Sequence, residues 1–368
     1  MKVLYIGVYR DHTGWGEAAT NTILALDSAG VDVVCRPIKL NNNEQPIPER
    51  LRELEARPTK GCDVVIQNVL PHMLSANCGF KKNIAFYETE TSNFRSSSWA
   101  NHINLMDAAL VASTESQFAS IDSGVTIPLH VIPHAYDTDK FYRSYEKISF
   151  GPTVDPTFKF YWVGEINARK NLEVLIKAFH LAFDPTDSVS LIIKTTNKKQ
   201  EEVAAFCESV KRNLKLYADP KHYKQEIIID SYLPEDQLMA LHNTCDAFVC
   251  PSSGEAWSYP TFIALGLGSL VIAPHTQGFK HYLNDVNSLR LETMRTPCYG
   301  ETEQFGDLFT GRELWDEVRL DSLIEQMRRA KYVDNSNLIE NGMEIVHCFS
   351  REAVGAKLKR ILQEIYNA

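Results

Sequence analysis

The chain has 368 residues, 44% apolar and 23% charged, the make-up of a folded globular protein long enough for two domains of ordinary size. Its formal net charge of −9 disfavours a surface built for nucleic acid or anionic lipid, because both need clustered Lys and Arg. No apolar run reaches the roughly 20 residues of a spanning helix, and the chain opens on a short strand without a leader-like apolar stretch, so a cytoplasmic location is expected.

Short apolar runs predict strands at residues 3–8, 31–35, 64–67, 84–87, 109–112 and 131–132. The first leads into "DHTGWGEAATN", whose Gly14-Trp15-Gly16-Glu17-Ala18-Ala19 reads as G-x-G-x-x-A. A dinucleotide fingerprint needs its first glycine at the strand end and an acid closing the second strand. Here five residues separate strand and glycine, and the second strand ends in Arg36-Pro37, with Asp32 near its start. Two readings remain: a loop at a helix N-terminus that receives an anion, or glycines that supply turn dihedrals. A helix over 17–26 follows, with Ala18, Ala19, Ile23 and Leu26 on one stripe.

A Gly/Pro-containing linker at 149–156 is followed by a second series of strands, at 159–163, 191–194, 227–229, 247–250 and 270–273. Runs such as Ile227-Ile228-Ile229 do not alternate with polar residues, so both faces are buried, as in a parallel sheet covered by helices. The expected architecture is α/β: two doubly wound, Rossmann-like domains facing across a cleft, with ligands at the carboxyl ends of the strands. Asn171 is placed to cap a helix with Leu172, Leu175, Ile176 and Phe179 on one face, and Pro234-Glu235-Asp236 opens another. The eight cysteines are scattered without a C-x-x-C and read as reduced core thiols.

Three segments converge on the strand ends. In "YWVGEINARKNLEVLIKAF", a strand ends at Val163-Gly164, and Arg169 and Lys170 precede the cap. Two cations at a helix start suit a diphosphate; a solvated surface pair is the plain alternative. In "CDAFVCPSSGEAWSYPTFIALGLGSLVIAP", Ser258 can cap a helix with Pro260 in its first turn, and free N–H groups there can hold an anionic oxygen. Glu255 stands at the loop tip, where a carboxylate accepts from polyol hydroxyls or is simply an exposed acid. In "VIPHAYDTDKFY", Asp137-Thr138-Asp139 has the D-x-D form of a metal site, but no further acid or His cluster completes an oxygen shell. A turn is expected there, and no metal.

Four stretches, "DAALVASTESQFA", "VIPHAYDTDKF", "WVGEINARKNLEVLIKAF" and "YLPEDQLMALHNTCDAFVCPSSGEAWSYPTFIALGLGSLVIAP", in this order and spacing resemble the GT-B fold retaining glycosyltransferases with an E-x7-E motif (family four, glycosyltransferase group 1). The resemblance spans nearly the whole chain. It implies that residues 1–150 with the C-terminal helix 351–368 form an acceptor-side domain, and 151–350 a donor-binding domain. It implies that Lys170 neutralises the donor diphosphate, with Arg169 adding charge, and that Glu255 touches the transferred sugar. Gly164 ends the strand at the donor site, and Trp257, Ser258, Tyr259, Pro260 and Thr261 form the loop that holds sugar and phosphate. Leu233 lies where backbone holds the nucleobase, Gly14 and Gly16 form the glycine loop facing the phosphates, and Glu88 is the acceptor-side base.

The same resemblance implies no cofactor: a nucleotide-diphosphate sugar is the co-substrate, and a glycan or other hydroxyl compound the acceptor. Departures stand beside the matches. The motif's second glutamate, which holds the ribose, falls on Ile263; its usual arginine falls on Glu165; its first-domain histidine falls at Tyr87 or Glu88. These leave two other classes open, a GT-B-shaped binding or scaffold protein and a sugar transferase acting on modified DNA, the second disfavoured by the charge. The sequence carries no signal for an oligomeric state.

Overall fold

A computed structural model describes residues 1–11, 13–39, 46–298 and 307–368. The first half builds a six-stranded parallel sheet from β1 (Lys2–Gly7), β2 (Asp32–Pro37), β3 (Val64–Asn68), β4 (Lys82–Tyr87), β5 (Ala108–Val111) and β6 (Leu129–Val131), in the order β2-β1-β3-β4-β5-β6. The second half repeats the plan with β7 (Phe158–Val163), β8 (Val189–Lys194), β9 (Ile227–Ile229), β10 (Ala247–Val249), β11 (Leu270–Pro274) and β12 (Leu289–Leu291), in the order β12-β11-β10-β7-β8-β9. Every residue of β3, β8 and β11 is buried, which is why their sequences do not alternate. Strand order reverses beside β1 and beside β7, so the crevices past Gly7 and Val163 are the switch points where ligands of such sheets bind.

The eleven expected strands are all present within a residue or two of their predicted ends. Three were not expected: β12, and the antiparallel pair β13 (Thr293–Pro297) and β14 (Leu314–Val318). β12 is only three residues long, and β13 is largely exposed on both faces, so neither prints a pattern.

Several local expectations change. The first helix, Gly14–Ser28, starts three residues early: Thr13 is its N-cap, and the Thr13 hydroxyl accepts from the Gly16 N–H at 3.4 Å. The turn-dihedral reading of Gly14 and Gly16 is therefore wrong, since both are helical. Gly16 is needed for space, because a Cβ there would lie 1.9 Å from the Asp11 carbonyl oxygen. Asn171 stands at the N-cap position but does not cap; it adopts φ 50°, ψ 44°, a left-handed conformation that asparagine tolerates. Six cysteines are buried, as expected of core thiols, but Cys78 and Cys348 are exposed, and no disulfide joins any of the eight. Among the described residues no helix is long and apolar enough to cross a membrane.

The C-terminal helix, Arg351–Asn367, crosses back to the first sheet. Its Val354, Leu358, Ile361 and Ile365 recur at helical spacing and join the core of Val3, Tyr5, Ile23 and Leu26. The approach is closest at Gly355, where a Cβ would lie 2.1 Å from the Ala25 carbonyl oxygen. Between the two sheets lies a seam of buried aromatic side chains, with Trp257 and Tyr282 ring centroids 4.9 Å apart and Tyr136 and Tyr259 5.9 Å apart. Gly355→Ala tests the helix docking. Alanine improves helix propensity by about 1 kcal/mol, yet overpacking costs about 1–3 kcal/mol. A net loss of stability in urea or thermal unfolding is expected.

Candidate functional site

The site grows from the carboxyl ends of β7 and β10. Past β7 the chain turns at Gly164, where a Cβ would press on the Trp162 ring at 2.9 Å. The loop then runs to Lys170, whose N–H donates to Asn167 Oδ1 at 2.9 Å. Past β10, Ser253 donates its N–H to the Arg169 carbonyl at 2.8 Å, so the two loops are joined backbone to backbone.

That junction brings three predicted residues together. Glu255 is 4% exposed, not a free loop acid. Lys170 Nζ lies 2.5 Å from its Oε1, and an Arg169 guanidinium nitrogen 3.4 Å from its Oε2. Burial alone would push the Glu255 carboxyl up, but the charges of Lys170 and Arg169, with hydrogen bonds from Lys170 and Ser252, outweigh it and hold the group below the ordinary carboxylate range. Arg169 also donates to the Gly254 carbonyl at 2.7 Å and reaches across to Glu90, past β4 in the other half, at 3.0 Å. A Cβ on Gly254 would lie 2.3 Å from the Glu90 carbonyl oxygen, so here the halves meet through bare backbone.

The other expected residues surround this centre. Trp257, Ser258, Tyr259 and Thr261 are buried in the seam, and Tyr282 Oη donates to the Trp257 and Ser258 carbonyls. Pro260 occupies the first turn of the helix Tyr259–Gly266, as the sequence requires. Ser258 does not cap it; its backbone is left-handed at φ 71°, and its hydroxyl bonds that of Thr261 at 2.8 Å. Leu233 is half-buried past β9. The helix with Gly14 and Gly16 faces the seam through Ala18, and nothing described lies within 4 Å of a Cβ built on Gly14. Asp137, of the D-x-D stretch, is 3.2 Å from Arg351, and Thr138–Tyr142 is a 3-10 turn.

Three placements differ from expectation. Ile263 is 6% exposed within the seam core rather than lining an open pocket. Glu165 is exposed, and Arg169, expected to add charge for the diphosphate, is already engaged by Glu90 and Gly254. Glu88 is 8% exposed rather than open to solvent: His134 Nε2 covers it at 3.0 Å. That contact lacks hydrogen-bond alignment, so neither Glu88 oxygen has a hydrogen-bonding partner among the described residues, and the same holds for His134 Nδ1 and Trp257 Nε1. His134 packs edge-on to Trp257, with centroids 5.6 Å apart. Unsatisfied buried donors and acceptors of this kind, gathered at a seam, are groups a polar ligand would satisfy.

Sequence reasoning missed His134, Glu90 and Gln277. His134 lies inside a stretch already singled out, "VIPHAYDTDKFY", and Glu90 stands two residues past Glu88, but nothing near either marks a contact across the chain. Gln277 lies in the stretch "HTQGF", which carries no motif.

Residues 146–288 match the family described as glycosyl transferases group 1. No curated protein matches the sequence. Among solved structures, the chain is similar to sucrose-phosphate synthase from Thermosynechococcus elongatus, with 14% identity over 100% of this chain and 99% of that one and a TM-score of 0.65. It is similar to HepE from Anabaena, solved with UDP and glucose, with 12% identity over 99% and 100% of the two chains and a TM-score of 0.64. It is also similar to the trehalose-6-phosphate synthase OtsA, with 8% identity over 99% of each chain and a TM-score of 0.67. The fold is GT-B, and the group 1 match takes in both Lys170 and Glu255.

The Glu255 pairing predicts a pH dependence. Its carboxyl is held lower in the folded protein than in the unfolded chain, so its contribution is complete above the unfolded value of about 4.3 and disappears as pH falls through the folded one. The stability difference between wild type and Glu255→Gln, measured by urea unfolding, should be constant near neutrality and shrink below that range.

Proposed function

We propose that the chain is a retaining glycosyltransferase that moves a sugar from a nucleoside diphosphate sugar to a hydroxyl acceptor without a metal. The observation that carries this reading is the convergence of Lys170 and Arg169 on the buried Glu255 carboxylate at the carboxyl ends of β7 and β10. Residues 151–350 are the donor side; residues 1–150 with 351–368 are the acceptor side.

The reaction breaks the bond between the anomeric carbon and the diphosphate oxygen, and the electron pair stays on the diphosphate. Lys170, Arg169 and the N–H groups opening the helix Tyr259–Gly266 are positioned to bind that growing charge, which speeds the step because the charge is greatest in the transition state. These cations do the work a divalent ion does elsewhere. A bound diphosphate takes Lys170 from Glu255, and the carboxylate is then free to accept from sugar hydroxyls. The acceptor oxygen bonds the anomeric carbon on the face the phosphate leaves, and its proton passes to the departing phosphate. Glu88 and His134 orient the acceptor hydroxyl from the first half. With Ile263 apolar and packed in the seam, no carboxylate on that helix holds the ribose. Ile263 and the exposed Glu165 together favour a second reading, a binding protein without turnover, which would take up the donor and never transfer it.

Lys170→Ala should lower turnover by roughly 10²–10³-fold, the range for removing one charge-stabilising donor. The variant should fold, since Arg169 still faces Glu255. Transfer assays over UDP-, GDP- and ADP-sugars read this directly, and normal turnover in the variant would refute the assignment. A second assay adds EDTA in excess: activity should persist, and loss on chelation with recovery on adding manganese would overturn the metal-independent mechanism.

A further inference from the structure

The hairpin β13–β14 belongs to the second half but holds the first. The Ser92 N–H donates to the Leu314 carbonyl at 2.8 Å, and the Leu314 N–H donates to Ser92 Oγ at 3.0 Å. Leu308, before β14, packs against the first-half cluster of Val69, Leu74 and Phe94. Two residues on from Leu314, the Asp316 N–H donates to the Ser253 carbonyl at 2.8 Å, which ties β14 to the loop that carries Glu255.

Gln277 completes this connection. Its Oε1 accepts the Glu255 N–H at 2.9 Å, and its Nε2 lies 3.3 Å from both the Ser253 carbonyl and Asp316 Oδ2. Its backbone is left-handed at φ 47°, a conformation that non-glycine residues hold only where their surroundings enforce it. A glycine would relieve the backbone and lose all three side-chain contacts. The adjoining Gly278 donates its N–H to the Glu255 carbonyl at 3.1 Å, so both backbone polar groups of Glu255 are held from this one turn.

We infer that Gln277 is a positioning residue that links the Glu255 loop, through Asp316 and β14, to Ser92 in the first half, so that closure across the cleft sets the placement of Glu255. This rests on the reading of Glu255 as the group that holds the transferred sugar. When β14 releases Ser92, Asp316 and Gln277 move with it, and the Glu255 N–H loses its acceptor. When the halves close, the same hydrogen bonds return the loop to one position. The sugar-holding group is thus ordered when the acceptor side is in place.

The test is amide hydrogen exchange at Glu255 in the unliganded full chain, read by NMR. Gln277→Gly suits the left-handed backbone and should fold, with a melting temperature lowered modestly by the lost hydrogen bonds. Ser92→Ala with Leu308→Ala loosens the hairpin from the first half. Each change should speed Glu255 exchange by about tenfold, the scale of losing one or two hydrogen bonds, and the combined variant should exchange no faster than Gln277→Gly alone. Amides in the middle of β8 should be unaffected. Unchanged Glu255 exchange on loosening the hairpin, or effects that multiply in the combined variant, would overturn the coupling. This readout needs no turnover, so it stands apart from the proposed activity. In the transfer assay Gln277→Gly should lower kcat about tenfold with nucleoside diphosphate affinity unchanged. A loosened Glu255 with normal kcat would show that the coupling has no part in catalysis.

Discussion

A carboxylate taken out of water must be paired, and Glu255 imposes that requirement on everything around it. The group sits at a strand end between two sheets, where water does not satisfy it. Two cations therefore have to reach it, and both come from the loop past β7. To bring that loop to the one past β10, backbone must bond backbone at Ser253 and Arg169. To bring the other half close enough for Glu90 to meet Arg169, residue 254 must lack a side chain. One buried charge thus accounts for two cations, a glycine and an ion pair across the cleft.

The arrangement is balanced in charge. Lys170 and Arg169 are matched by Glu255 and Glu90, so the centre carries no net charge. In the proposed reaction a diphosphate would disturb that balance by competing for the cations. Pairs of this kind hold a site in shape before the ligand arrives, and they also charge the ligand for entry, because each broken pair must be replaced. The aromatic seam adds a second restraint: Trp257, Tyr259 and Tyr282 pack around the loop that follows Glu255. Buried groups left without partners, Glu88 and the free edges of His134 and Trp257, are the points where this closed packing remains incomplete.

Much of this was legible in the sequence, for a physical reason in each case. Strands buried on both faces are continuous apolar runs, so β1 to β11 could be read with errors only at their ends. Proline and acids in a first turn marked the helix Glu235–Thr244, and helical spacing marked the packed face of Leu172–Ala182. Lys170 and Glu255, 85 residues apart, were named together because the order and spacing of several stretches resembled one family. Capping was misread at Asn171 and Ser258, because a side chain that can cap says nothing about the backbone conformation the loop imposes.

What the sequence determined by itself was local: which segments are strands, which helix faces are apolar, and which residue types stand at the strand ends. Those follow from periodicity and from the few conformations each residue allows. What only the tertiary structure decided was who meets whom. Nothing in the neighbourhood of Glu88 announces His134, nothing near Arg169 announces Glu90, and Gln277 carries no pattern at all. Nor could Ile263 be placed in a packed seam, since its helix reads the same whether it faces a pocket or a core. These contacts arise where the loop edges of two sheets meet, and loops hold no repeat from which such a meeting could be read.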